Sequence, residues 1–305
     1  MAQPAQATTP HPHAAERAPL RRRMLSALLR KDEGAFAELI EIGSPWTGLG
    51  DEDHGKSRTP LMWAASVEWH GAIKALVASG SPIDERSPQG ATALLLALER
   101  SLPSVAKLLL NLGASMDAVD AQGDSSMHNA ASCQGTERIH LLLDRGFRAD
   151  ALDNQGYTAL GIAAVNSNHE GARALVEGGY DIDRPGGDGR TAIALCVYFG
   201  RKDMVRTLLG LGADIGIEDD WGRTPLSIAT LNDYETITAM LLDAGADPRR
   251  ISSKGVDPLA PHEVPSDSAS LRLARQAAHA LDARDALRAA TPSAVRTRES
   301  SKTSI

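Results

Sequence analysis

Polar and apolar positions in the middle of the chain recur with a period of 33 residues, which is the mark of a stacked repeat rather than of any single helix or strand. Hydroxyl residues stand at Thr59, Thr92, Ser125, Thr158, Thr191 and Thr224. Two positions after each comes a large apolar residue: Leu61, Leu94, Met127, Leu160, Ile193 and Leu226. Five positions after comes a small one: Ala64, Ala97, Ala130, Ala163, Cys196 and Ala229. Glycines keep the same step at Gly80, Gly113, Gly146, Gly179, Gly212 and Gly245. Four columns held in register over six copies specify one folding unit, repeated.

Each column predicts a local structure. The hydroxyl N-caps a helix by accepting from a backbone N–H two or three residues on, worth about 1 kcal/mol. Pro60 and Pro225 fall at the first helical position, where a missing N–H costs nothing. The alanine column lets neighbouring helices approach closely, while leucines such as Leu108, Leu109 and Leu110 fill the space between them. The glycine column ends a second helix, because glycine accepts the left-handed conformation of the residue past the C-cap. Further glycines at Gly90, Gly123, Gly156, Gly189 and Gly222 precede the next hydroxyl by two residues and mark a turn. Each unit therefore reads as helix, tight turn, helix and protruding hairpin-like loop. Helices of about 8–10 residues are too short to stand alone, so the units are stable only when stacked.

The segments from Gly222 to Ala229 (Gly-Arg-Thr-Pro-Leu-Ser-Ile-Ala) and from Leu241 to Asp247 (Leu-Leu-Asp-Ala-Gly-Ala-Asp) carry a family resemblance. Together with Thr59-Pro60-Leu61-Met62-Trp63-Ala64-Ala65, they resemble the ankyrin repeat, whose signature is T-P-L-H-x-A-A followed by L-L-L-x-x-G-A-D. The resemblance spans about residues 53–248 with six full units. It implies an all-α solenoid of stacked helix–turn–helix units with protruding loops. The chain departs from the pattern in places: the signature histidine survives only as His128, and the Gly-His between helices is mostly replaced, as by Glu68-Trp69.

Ends of such a stack need a polar outer face. Residues 1–17 are expected to be a disordered tail, and residues 18–52 a capping helix pair followed by an enlarged loop. Residues 53–248 hold the six repeats. Residues 249–290 hold a degenerate seventh unit, starting at Gly255-Val256-Asp257-Pro258-Leu259, and a cap helix with Leu271, Ala274, Ala278, Leu281 and Leu287 on one face. Residues 291–305 read as a second disordered tail.

Composition narrows the chemistry. Arginine outnumbers lysine 25 to 7 and alanine is abundant, which points to a GC-rich, bacterial source. Two cysteines, Cys133 and Cys196, cannot form a disulfide scaffold, so a reducing, cytoplasmic compartment is expected. They stand about two repeats apart, on the order of 20 Å at about 10 Å per packed helix layer, too far to bridge. No apolar run approaches the roughly 20 residues of a membrane span. Residues 1–31 carry a net charge of +5, residues 32–261 a net of −14 and residues 262–305 a net of +2. A body this acidic repels phosphate backbones and anionic lipid headgroups, which disfavours nucleic acid and membranes as partners.

No catalytic constellation emerges, and no cofactor or metal is expected. The nine histidines lack ligand spacing, and neither H-E-x-x-H nor paired C-x-x-C occurs. Residues 50–57 satisfy the phosphate-binding pattern G-x-x-x-x-G-K-[ST], with Lys56 in the lysine position. Such a loop must follow a buried strand and open a helix. Here the helix is expected only at Thr59, and Asp51, Glu52 and Asp53 occupy the place of phosphate oxygens. Arg21-Arg22-Arg23 precedes an apolar stretch of only residues 24–29, shorter than an export signal requires. His128 is read as structural, bonding the capping hydroxyl at Ser125.

The family resemblance implies that partners bind residues flanking the loop glycine and those just after the Ala-Ala. Carried onto this chain, these are Arg58, Gln89, Asn154, Tyr157, Asn166, Arg190, Tyr198, Phe199, Trp221, Arg223 and Asn232. Aromatic and arginine side chains dominate protein interfaces. Tyr157, Tyr198, Phe199 and Trp221 account for four of the eleven aromatics in the chain, although Tyr198 and Phe199 have a second reading as packing between units. The expected function is a monomeric, non-enzymatic module that binds another protein as adaptor, inhibitor or scaffold. The alternatives are a bacterial effector secreted into a host cell and a nucleotide-binding enzyme using Lys56.

Overall fold

The computed structural model of the chain describes residues 14–42, 50–51, 56–147, 151–260 and 268–290. Residues 1–13 of the tail expected at 1–17, the tail expected at 291–305 and most of the enlarged first loop lie outside the described residues. The chain divides into two compact units, Met1–Asp181 and Ile182–Ile305.

The first unit opens with the helix pair α1 (Ala14–Arg30) and α2 (Glu33–Glu41), so helix begins within the segment expected to be a tail. Two-residue strands β1 (Gly50–Asp51) and β2 (Lys56–Ser57) follow. Four helix pairs complete the unit: α3 (Pro60–Ser66) with α4 (His70–Ala78), α5 (Ala93–Glu99) with α6 (Pro103–Asn111), α7 (Ser126–Ser132) with α8 (Glu137–Leu143), and α9 (Ala159–Val165) with α10 (His169–Glu177). First helices pack on first helices, in the order α1, α3, α5, α7, α9, and second helices pack on second helices, in the order α2, α4, α6, α8, α10. The second unit holds α11 (Ala192–Tyr198), α12 (Lys202–Gly210), α13 (Pro225–Leu231), α14 (Glu235–Asp243) and α15 (Ala269–Ala290), with α11 packed on α13 and α12 on α14.

The columns take the places their chemistry predicts. All six hydroxyls are N-caps, each accepting from the backbone N–H three residues on: Thr59 from Met62 at 3.2 Å, Thr158 from Gly161 at 2.9 Å, and likewise Thr92, Ser125, Thr191 and Thr224. The small-residue column, Ala64 through Ala229, is fully buried, with Cys196 among its members. Burial pushes the Cys196 thiol far above the ordinary range, so it acts as a small apolar group. Neither cysteine is bridged.

Loop tips are tied to one another through their backbones. The N–H groups of Ala121, Asn154 and Asp220 donate to the carbonyls of Gln89, Gln122 and Asp188, at 2.9, 2.9 and 3.1 Å. This ladder explains one glycine in physical terms. Gly189 has φ +76°, and a Cβ there would lie 2.7 Å from the Asp220 nitrogen, so both backbone conformation and close approach require glycine.

His128 completes a capping box with Ser125. The Ser125 N–H donates to Nδ1 at 3.2 Å, which leaves Nε2–H to donate to the Tyr157 carbonyl at 3.0 Å. The imidazole is buried and fully engaged in holding two repeats together. The third repeat also departs from the others at its inner turn. α8 is two residues shorter than the other second helices, Gly135 rather than its neighbour turns the chain at φ +93°, and the buried Arg138 donates to Leu98 O and Ser101 Oγ, both at 2.8 Å.

The C-terminal helix α15 packs on α14 and α13. Its first turn is capped twice: Ser268 Oγ accepts from the Leu271 N–H at 3.2 Å, and the Asp233 carboxylate accepts from the Ser270 N–H at 3.0 Å. Leu271, Ala274 and Ala278 are buried as expected, but Leu287 is 72% exposed and leaves the expected apolar face. At 22 residues α15 is about 33 Å long, more than twice the length of the 9-residue α14 it rests on, so its last turns run beyond that support. Arg249 reaches them, donating to Asp282 at 3.0 Å and Asp285 at 2.8 Å.

Candidate interaction site

The segment with the phosphate-loop pattern takes a different course from a phosphate loop. Gly50 pairs with Ser57 and Asp51 with Lys56 as an antiparallel hairpin, and the next helix starts only at Pro60. A phosphate loop needs the lysine and the following hydroxyl in the first turn of a helix, where backbone N–H groups converge on the anion. Among the described residues no group of three or more His, Cys, Asp or Glu side chains could hold a metal, and no helix is long and apolar enough to cross a membrane.

The expected partner-binding residues fall on both units. In the first, Arg58 stacks over the Trp63 ring at 5.0 Å, and its pKa is lowered, chiefly by burial and then by the charge of Arg100. Asn154 is engaged within its own unit, its side-chain amide donating to the Ala121 carbonyl at 2.9 Å. The carbonyl of Gln89 receives the Ala121 N–H, and that of Tyr157 receives His128. Asn166 is exposed at the end of α9, where its carbonyl accepts from Gln134 Nε2 at 3.0 Å.

In the second unit five of these residues converge. Trp221 sits at the tip of a loop, three residues before the capping Thr224 of α13, and Arg223 and Arg190 hold equivalent places, each directly before the capping threonine of α13 or α11. Tyr198 and Phe199 end α11. The Arg190 guanidinium carbon lies 4.2 Å from the centre of the Tyr198 ring and 4.9 Å from that of Trp221. Arg223 lies against Trp221 as well, at 4.6 Å, and Tyr198 and Phe199 meet edge to face at 5.1 Å. Asn232 follows one repeat after Phe199, and its amide donates to the Ile228 carbonyl at 2.8 Å.

Two carboxylates that the sequence reading passed over hold this cluster. Asp219, whose side chain is 0% exposed, accepts the Trp221 and Arg223 N–H groups on Oδ1 at 3.0 and 2.8 Å. Its Oδ2 accepts Arg223 Nε at 2.9 Å, and Arg223 Nη2 makes an ion-pair contact of 2.7 Å with the same oxygen, off the hydrogen-bond line. Arg190 pairs with Asp188 at 2.8 Å, while its Nε, buried and without a hydrogen bond, faces Asp219 Oδ2 at 3.7 Å. The signal for Asp219 was present: it stands 33 residues after Gly186 and 66 after Asp153, in a column where Asp120 and Asp153 accept the same pair of loop N–H groups.

The outcome is a surface patch of three rings over two guanidiniums. Tyr198 and Phe199 are each 40% exposed and Trp221 is 52% exposed. The arginine side chains beneath are 12% exposed at Arg190 and 18% at Arg223, so the rings and not the charges face solvent. Cation–π contact of this kind, partly desolvated, fixes ring position with about 1 kcal/mol per pair.

Comparison with known proteins agrees with the repeat architecture. The family model described as ankyrin repeats (3 copies) matches over residues 24–120, 104–186 and 178–252. Among solved structures, the chain is similar to the ankyrin repeat domain of Bcl-3, a member of the IkappaB protein family, with 27% identity and a TM-score of 0.65 over 72% of this chain and 98% of that one. It shares a fold with the human ASB11 ankyrin repeat domain, with 24% identity and a TM-score of 0.62 over 72% of this chain and 98% of that one. It is also similar to the ankyrin repeat protein EF0377, with 27% identity and a TM-score of 0.55 over 60% of this chain and 96% of that one. No curated protein matches the sequence. Ankyrin repeats are a protein-interaction module, and with family matches running from residue 24 to residue 252, this chain belongs to the ankyrin-repeat family.

Proposed function

We propose that the chain is a non-enzymatic module that binds a partner protein, and that the patch of Arg190, Tyr198, Phe199, Trp221 and Arg223 is where the partner sits. The observation that carries this reading is the exposure of three rings held in place from beneath. Trp221 is 52% exposed although its ring packs against two guanidiniums, which leaves apolar surface for a partner to cover. Tryptophan, tyrosine and arginine are the residues on which interface energy concentrates, and a ring already immobilised gives up little further entropy on binding. Arg58, Gln89, Asn154, Tyr157, Asn166 and Asn232 are proposed as accessory contacts on the equivalent positions of other repeats.

Site-specific photo-cross-linking tests the proposal. A photoreactive amino acid replaces Trp221 in one variant and Arg206, an exposed residue on α12, in another. Cross-linking in the source cell is expected to yield a discrete protein adduct from position 221 and none from position 206. Equal adducts from both positions, or adducts from 206 alone, would overturn the placement of the site.

A further inference from the structure

Three arginines stand directly before a capping threonine, Arg58, Arg190 and Arg223, and they differ in how their charge is met. Arg190 pairs with Asp188, two residues before it, and Arg223 with Asp219, four residues before it. The same offsets from Arg58 fall on Lys56 and His54, so neither column supplies a carboxylate to that arginine. Asp51, Glu52 and Asp53 stand five to seven residues before it, outside both offsets. Among the described residues Arg58 has no carboxylate within ion-pair distance, and neither has Arg100.

The fold nevertheless holds the two guanidiniums near each other. Arg58 is half-buried and lies over the Trp63 ring at 5.0 Å, a contact that orients a guanidinium without cancelling its charge. Trp63 is on α3, which packs on α5, and Arg100 is the exposed C-cap residue of α5. The Arg58 pKa is lowered by burial and then by the charge of Arg100, and the carboxylate of Glu99 opposes this with a smaller effect. Two like charges so placed repel each other, and an anion between them would turn that repulsion into attraction. The planar fork of a guanidinium matches a carboxylate in two parallel hydrogen bonds.

Resting on the reading of the chain as a protein-binding module, we infer that Arg58 and Arg100 form a second contact point, which takes a single side-chain carboxylate of the partner protein. The neighbouring charges set the limit of one. Beyond Glu99 the next loops carry Asp120, Asp124 and Asp153. These act on one another: the Asp124 pKa is raised by burial first, then by Asp120, with Asp153 and Glu99 adding to it. A run of acidic residues laid along this face would meet those carboxylates, so the residues beside the anchoring acid are uncharged or basic.

The test is a selection from a random linear-peptide display library on the full chain, counter-selected on the double variant Arg58→Gln, Arg100→Gln. Selected peptides are then synthesised and titrated at about 50 and about 500 mM NaCl. Each is expected to contain one indispensable Asp or Glu among uncharged or basic residues. Changing that acid to its amide, or using the double variant, should weaken binding about tenfold, and the higher salt should weaken it more than about threefold. Selected peptides without a carboxylate, acidic peptides that bind the double variant within about twofold of wild type, or no enrichment on wild type would overturn the inference. A pool made of acidic runs would overturn the limit to one carboxylate. The aromatic patch is judged separately, by cross-linking at position 221, so each reading can fail without the other. Circular dichroism on each variant establishes that the fold is retained.

Discussion

Replacing Asp219 by alanine isolates what holds the patch together. In wild type the carboxylate takes the Trp221 and Arg223 N–H groups at 3.0 and 2.8 Å, takes Arg223 Nε at 2.9 Å, and faces the buried Arg190 Nε at 3.7 Å. The internal control is Asp153, one of the same column, which accepts the Gln155 and Tyr157 N–H groups, both at 2.8 Å, with no arginine on its second oxygen. Removing either carboxylate strands two loop N–H groups, and for a charged acceptor that loss is about 2 kcal/mol. Only Asp219→Ala also leaves two guanidiniums without their shared anion. With their side chains just 12% and 18% exposed, water replaces it poorly, and the total rises to about 3–5 kcal/mol. Asp219→Asn keeps an oxygen for the loop N–H groups and loses the charge, so it should fall between the two. Reversible urea unfolding followed by circular dichroism measures all three. If Asp219→Ala unfolds within about 0.5 kcal/mol of Asp153→Ala, the guanidinium pairing contributes nothing and the rings are positioned by something else.

Two further perturbations probe the frame around the patch. Gly179 and Gly189 both have positive φ, +91° and +76°, but a Cβ at Gly179 meets nothing within 4 Å while one at Gly189 lies 2.7 Å from Asp220 N. Gly179→Ala should therefore cost about 1 kcal/mol for backbone conformation alone, and Gly189→Ala clearly more; equal melting of the two would show that loop tips do not need their close contact. The Asp233 carboxylate has a lowered pKa, caused first by the Ser270 N–H and reinforced by the Ser270 and Ser268 side chains. A carboxylate with a lowered folded-state pKa stabilises fully above its unfolded value of about 3.9 and loses that contribution as pH falls through the folded value. Helical ellipticity in mild urea should thus decline below about pH 4, and Asp233→Asn should flatten the decline, whereas an unchanged pH profile in the variant would remove Asp233 as the anchor of α15.

How much of this was legible in the sequence depended on the range of the interaction. Caps, helix-ending glycines and the alanine column are local rules read within a few residues, and all six hydroxyls cap as the spacing requires. The positions of Arg190, Tyr198, Phe199, Trp221 and Arg223 were legible because each is a fixed offset from a capping threonine. What was hidden crosses from one repeat to the next. Asp219 keeps its column, but nothing within its own repeat marks its second oxygen as facing Arg190 of the loop before. The short α8 was hidden for a related reason: Arg138 reaches back to Leu98 and Ser101 in the preceding repeat, so the altered turn is held by residues far away in sequence. Leu287 failed because periodicity assigns a helix face without saying how long the surface beneath it is.

The patch is an elaboration of the device that shapes every loop. Asp120 and Asp153 fold their tips by accepting two N–H groups on one oxygen, which leaves the second oxygen without structural work. At Asp219 that second oxygen is given an arginine from its own loop and faces another from the loop before. Each arginine then presents a flat face to Trp221, and Arg190 presents a second to Tyr198. One buried carboxylate therefore fixes the loop backbone and, through two guanidiniums, the rings above it. The charge balance that makes this possible has a functional consequence: the cations serve as supports and their charge is cancelled where they stand. What remains exposed above them is a surface of three rings, in the midst of a body whose net negative charge keeps the rest of its surface solvated.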